Sequence, residues 1–122
     1  MFTMVRVAPN RLDLEIGGKL DRAEMEALLD AFVEKSAGIE HGVSLYRVRD
    51  FDLPTLGAIA VELARLPELL RVVRRFDKAA VVADAAWVRR ISELEGALFP
   101  GLTIRGFEPE RAADADAWLA RD

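Results

Sequence analysis

His41 is the only histidine in the chain, and histidine is the side chain best suited to moving protons near neutral pH. To activate a nucleophile it needs a hydroxyl or thiol within reach and a carboxylate to orient its ring. There is no cysteine, which removes thiol nucleophiles, disulfides, thiolate metal sites and iron–sulfur clusters together. The three serines are Ser36, Ser44 and Ser92. Their places, near a predicted helix end, at a strand start and within a helix, lack the sharp elbow that G-x-S-x-G would supply. His41 therefore reads as an exposed loop residue, and no catalytic residue is assigned.

Asp50 and Asp52 are better placed, because sites in α/β proteins form at the C-terminal ends of parallel strands. Two carboxylates could hold a divalent cation, but no third ligand accompanies them, so no metal is expected. Asp52 reads instead as a helix cap and Asp50 as a solvated residue. Gly17-Gly18-Lys19 lacks the spacing of a phosphate loop and would set Asp21 against a phosphate, so it reads as a turn. No cofactor-binding pattern is present. Trp87 and Trp118 fall on apolar stripes with helical spacing and read as core.

The elements that position these residues follow from periodicity. Residues 2–7 form a short β candidate, and Leu12, Leu14 and Ile16 alternate with Asp13 and Glu15 as in a half-buried strand. Pro9-Asn10 between them predicts an opening hairpin. Asp21, three residues before Glu24, predicts a capping box, with Glu24 reaching back. The helix it opens carries Met25, Leu28, Leu29, Phe32 and Val33 on one stripe and stops near Gly38. Residues 43–49 are the next strand.

Pro54 predicts the first turn of a long helical pattern whose apolar side holds Leu56, Ile59, Ala60, Leu63, Leu66, Leu70 and Val73. Pro67 should bend or divide it. Residues 78–83 read as a strand covered on both faces. Asp84 predicts the cap of a helix with Trp87, Ile91, Leu94 and Leu98 in its stripe, closed by Pro100-Gly101. Residues 102–107 form a last strand, and Glu108-Pro109 opens a final helix bearing Ala112, Ala115, Trp118 and Leu119. The order ββαβαβαβα predicts one α/β domain over residues 1–122, its sheet mostly parallel with an antiparallel edge hairpin.

Composition bounds the function. A 122-residue chain with 52% hydrophobic residues suffices for one core without metals or cross-links. Net charge is −4, and basic residues are interleaved with acidic ones, which disfavours nucleic acid as a partner. The N-terminus shows no signal-peptide pattern, and charges interrupt the apolar stretch of residues 53–73, so a cytoplasmic location is expected.

The run Phe76-Asp77-Lys78-Ala79-Ala80-Val81-Val82-Ala83-Asp84-Ala85-Ala86-Trp87-Val88 carries a family likeness. With Leu98-Phe99-Pro100-Gly101, Leu102-Thr103-Ile104-Arg105-Gly106-Phe107, Ala115-Asp116-Ala117-Trp118-Leu119 and Gly18-Lys19-Leu20-Asp21, it resembles the SpoIIAA-like family. These are bacterial relatives of the anti-sigma-factor-antagonist, or STAS, domain. The resemblance implies a mixed sheet of four to five strands with four to five helices, mainly on one face, and a regulatory or binding role in place of a reaction. In phospho-switched antagonists an aspartate precedes a phosphorylatable serine at the helix start after the third strand. Asp52 matches that aspartate and Gly57 a later glycine, but Leu53 stands where the serine should be. Leucine has no hydroxyl and cannot carry a phosphoryl group. Thr55 aligns with the family's glycine, at a helix start where its hydroxyl is expected to cap.

Two binding functions follow. In the first, a protein partner docks around Asp50, Phe51, Asp52, Leu53 and Thr55. In the second, the helical segment of residues 53–76 binds an apolar ligand or an anionic membrane surface, with Arg71, Arg74 and Arg75 supplying positive charge. The plainer alternative has that segment covering the sheet, its arginines paired with Glu62 and Glu68. A homodimer is compatible with either function.

Overall fold

The computed structural model describes residues 1–121. Strands β1 (Phe2–Ala8) and β2 (Arg11–Gly18) pair antiparallel, with Met4 opposite Leu14. After helix α1 (Arg22–Lys35), strand β3 (Gly42–Phe51) lies parallel to β2. Helices α2 (Leu56–Ala64) and α3 (Leu66–Val73) lead to β4 (Phe76–Ala83), and α4 (Ala86–Gly96) to β5 (Thr103–Phe107). A single 3-10 turn, Pro109–Arg111, precedes α5 (Ala112–Ala120). The five strands stand in chain order, and all pairs after the hairpin are parallel.

Every parallel crossover thus steps one strand in the same direction, and right-handed connections then put their helices on one face. Side-chain alternation agrees. Leu12 and Leu14 of β2 join α1, α2 and α3 in one buried cluster, while Val48 and Val81 join Val88 of α4. The opposite face of β3 to β5 carries Leu45, Ala80, Val82 and Phe107, which α5 covers with Ala115, Trp118 and Leu119. Strand β4 is buried on both faces from Ala79 to Ala83, which explains why its run holds only small and β-branched residues.

Local chemistry sets the helix ends. Asp21 accepts a hydrogen bond from the Glu24 backbone N–H at 2.9 Å. Glu24 does not reach back as the capping box requires; its carboxylate turns to the amino group of Met1. The second helix starts later than Pro54 predicts. Its cap is Thr55, whose hydroxyl accepts from the Ala58 N–H at 3.1 Å, so Asp52 is not the cap. Asp84 is likewise displaced, with Ala85 at the cap position of α4 and the Asp84 carboxylate bonded to the Ala85 N–H. Pro67 divides the long helical pattern, sitting in the first turn of α3 where its missing N–H costs nothing.

The larger correction concerns which stripes are core. Trp87, Ile91 and Leu94 of α4 face outward, as does Leu98 in the turn after it, and Leu94 and Leu98 are 69% and 75% exposed. The helix packs instead through Val88 and Gly96. Gly96 lets it press onto β5, since a Cβ there would stand 2.8 Å from the Ile104 side chain. Gly106 does the same from the strand side, where a Cβ would meet Arg89 Cβ at 2.8 Å. On α2 and α3 the buried residues are Ala58, Val61, Leu69 and Val72, while Leu56, Ile59, Leu63, Leu66 and Leu70 are exposed. On α4 and α2 the small residues Gly96 and Ala58 lie against the body, whereas α3 packs through Leu69 and Val72.

Candidate functional site

Strand β3 ends by turning at Asp50, whose φ of 48° lies in the left-handed region uncommon for residues other than glycine. The turn directs Phe51 back over the sheet, where its ring stacks on Trp87 at 6.2 Å between centroids. Asp50 and Asp52 are exposed, and Leu53 beyond them is 63% exposed. Among the described residues no group of His, Asp or Glu side chains suited to a metal ion occurs.

The eight residues named from the sequence do not form one site. Asp50, Phe51, Asp52, Leu53 and Thr55 lie at the C-terminal end of β3, before α2 begins. Arg71, Arg74 and Arg75 lie at the end of α3 and just before β4. The 18 residues from Leu56 to Val73 separate the two groups by up to about 27 Å at 1.5 Å per residue. Arg75 is engaged in the fold, donating from Nη1 to the Ser36 carbonyl at 2.9 Å. Arg71 and Arg74 are exposed and make no ion pair among the described residues. Arg65 is the arginine that pairs, with Glu68 at 2.6 Å and Asp30 at 2.7 Å.

What connects the two ends is apolar. Leu56, Ile59, Leu63, Leu66 and Leu70 run along α2 and α3 with Leu53 just before them, and Trp87, Ile91 and Leu94 run along α4 with Leu98 just after it. Each of these ten large apolar side chains is more than a third exposed. The two stripes flank a seam. Tyr46 and Phe51 pack both against the cluster under α1 to α3 and against the cluster under α4, so they form its floor.

Two carboxylates border this seam. Glu62 lies on α2 among the apolar residues of its stripe, and Glu95 lies on α4 beside Leu94. Glu62 is exposed, yet crowding of its carboxyl by neighbouring groups partly desolvates it and pushes it above the ordinary carboxylate range. Desolvation does the same to Glu95, and the negative charge of Glu62 raises it further. Burial lifts the Tyr46 phenol, and the charge of Glu95 adds to the rise. Contrary to the pairing expected from sequence spacing, Glu62 takes no arginine.

Sequence reasoning missed Glu62, Glu95 and the outward stripe of α4. A signal was available. Helix α4 carries Val88, Ser92 and Gly96 at steps of four, a narrow face suited to close packing, beside a second face of three large residues. A helix with both can bury only one against the sheet. His41 lies at the other end of the sheet, its Nδ1 at 3.1 Å from Asp77 and with no serine against it.

A mixed five-stranded sheet with one antiparallel edge hairpin and helices mainly on one face makes this an α/β protein. A sequence model of the SpoIIAA-like family matches residues 11–120, and the chain belongs to that family. Among solved structures, an uncharacterized protein of the DUF3478 family with a SpoIIAA-like fold, from Shewanella loihica PV-4, is similar with a TM-score of 0.76. The two share 21% identity over 98% of this chain and 93% of that one. The anti-sigma factor antagonist SpoIIAA in its unphosphorylated form matches with a TM-score of 0.58 and 15% identity, covering 99% of this chain and 100% of its own. The Bacillus cell fate determinant SpoIIAA in its phosphorylated form matches at 0.51 and 16%, over 93% and 97%. At such identities the likeness establishes the fold. No curated protein sequence matches the chain.

Proposed function

We propose that this protein is a non-catalytic interaction module that docks a protein partner on the apolar surface of α2, α3 and α4. The supporting observation is the exposure of ten large apolar side chains in two stripes beside one seam. Water around such a surface is released when a partner covers it, at roughly 25 cal/mol per Å² of apolar area before the costs of association. The relative described as an anti-sigma factor antagonist supports a protein as the occupant. The loop of Phe51 and Leu53 lies at one end of the stripes and extends the surface.

Photo-crosslinking amino acids placed at Leu63 and Leu94 test this, with Val5 as a control on the opposite face of the sheet. One discrete protein adduct from Leu63 and Leu94, absent from Val5, is the expected result. Lipid adducts alone, or equal labelling from all three sites, overturn the proposal.

A second reading has its own observation. Arg71 and Arg74 make no ion pair among the described residues and stand at the end of α3 and just beyond it, next to Leu70, as a basic end to an apolar helix on an anionic membrane surface. Flotation with anionic vesicles at low salt, lost on changing Arg71, Arg74 and Arg75 together to glutamine, is the result that reading requires. No helix of the described residues is long and apolar enough to cross a membrane.

A further inference from the structure

The seam between α2 and α4 combines features that select the chemistry of an occupant. It is flanked by Ile59, Leu63, Leu66 and Leu70 of α2 and α3 on one side, and by Ile91 and Leu94 of α4 on the other, with Leu98 in the turn that follows α4. From Trp87 to Leu94 the α4 stripe runs about 10 Å, two turns of helix. Exposed helical stripes with large side chains at steps of three and four match the apolar face of another helix. Two carboxylates interrupt them, Glu62 and Glu95, and neither has an ion-pair or hydrogen-bond partner among the described residues.

The charged groups around them are few. On its own helix Glu62 is followed by Arg65, which is committed to Glu68 and Asp30. On α4, Arg89 donates to the Ala83 and Asp84 carbonyls, and Glu93 accepts from the Gly106 N–H. The sheet contributes Tyr46. The raised carboxyl pKa values of Glu62 and Glu95 agree with negative charge that the protein itself leaves uncompensated. Covering the seam with a purely apolar surface would strip water from both carboxylates without replacing it, which is unfavourable.

We infer that the occupant is a cationic amphipathic helix of a partner protein, laid along the seam with a lysine or arginine between Glu62 and Glu95. This rests on the docking function proposed above and names the partner's chemistry. The apolar stripes contribute affinity, and the two carboxylates reject neutral or acidic helices of the same shape. The same carboxylates repel the headgroups of an anionic bilayer.

The test uses three labelled synthetic helices of about 18 residues. All share one leucine face, and their central flanking positions hold lysine, glutamine or glutamate. Fluorescence anisotropy against the wild-type protein should show the lysine peptide binding most tightly and the glutamate peptide least. The double variant Glu62→Gln with Glu95→Gln should weaken the lysine peptide about tenfold, as two partly exposed ion pairs would, and leave the glutamine peptide unchanged or tighter. Equal binding of all three peptides to the wild-type protein overturns the charge selection while the docking function stands. Binding of none of them overturns the docking surface itself. The comparison of peptides on wild-type protein needs no variant to fold.

Discussion

At the scale of single residues, Glu62 and Glu95 give the sharpest expectations. Their carboxyls ionise less readily in the folded protein than in the unfolded chain. Between the ordinary carboxylate value and the raised one, the folded state therefore binds more protons than the unfolded state. Stability from these groups falls as pH rises through that window, and the cost is fully present above the raised value. Glu95→Gln should raise the denaturation midpoint at pH 7 and lose most of that gain near pH 4. Because both groups are exposed, the gain after solvent screening is no more than about 1 kcal/mol. Urea titrations at the two pH values measure it, and a destabilised variant at neutral pH would show that Glu95 has a partner. Thr55 gives a second expectation. Removing the hydroxyl that caps α2 with Thr55→Ala should cost about 1 kcal/mol, read by the same titration. Leu53 has no hydroxyl and cannot accept a phosphoryl group, so phosphosite mapping after incubation with lysate and ATP should find no modification there.

At the scale of elements, two glycines decide where α4 sits. Gly106 of β5 and Gly96 of α4 remove side chains from the contact between them. Gly106→Ala drives a methyl group into Arg89 Cβ, an atom next to the backbone that cannot swing aside. Its expected cost is about 1–3 kcal/mol, as for overpacking elsewhere. If α4 gives way instead, the seam changes width. A loss of peptide binding larger than the loss of stability would then show that the position of α4 controls the docking surface. The divided helix α2–α3 joins the cluster under α1 through Ala58, Val61, Leu69 and Val72 and leaves Leu56, Ile59, Leu63, Leu66 and Leu70 to solvent.

For the molecule as a whole, residues of one type divide by tertiary position. Leu28 and Val81 lie in the core, 9% and 5% exposed, while Leu63 and Leu94 stand 64% and 69% exposed on similar helical stripes. Leu28→Ala should cost about 2–4 kcal/mol, Val81→Ala somewhat less, and Leu63→Ala or Leu94→Ala under about 0.5 kcal/mol. Chemical denaturation of the four variants checks the division. A large loss at Leu63 or Leu94 would mean that their stripes are covered in solution, for instance in a homodimer, and a mass measurement would identify it.

The sequence by itself determined the order of strands and helices, the opening hairpin, the doubly buried β4 and the absence of a hydroxyl at Leu53. Each depends on residue type or on a period of two or 3.6, and both are local. Periodicity also located the stripes of α2, α3 and α4, but it could not say which way they face. Trp87, Ile91, Leu94 and Leu98 have the spacing of a core, as do Leu56, Ile59, Leu63, Leu66 and Leu70. Whether such a stripe is buried depends on what lies opposite, and Gly96, Gly106 and Ala58 reward the closer approach of the other faces. Tertiary packing alone set Glu62 near Glu95, residues 33 apart in the chain, and left the arginines of α3 at the far end from Asp50. Side-chain size at a few contacts, read only in three dimensions, turned two apparent core stripes into a surface.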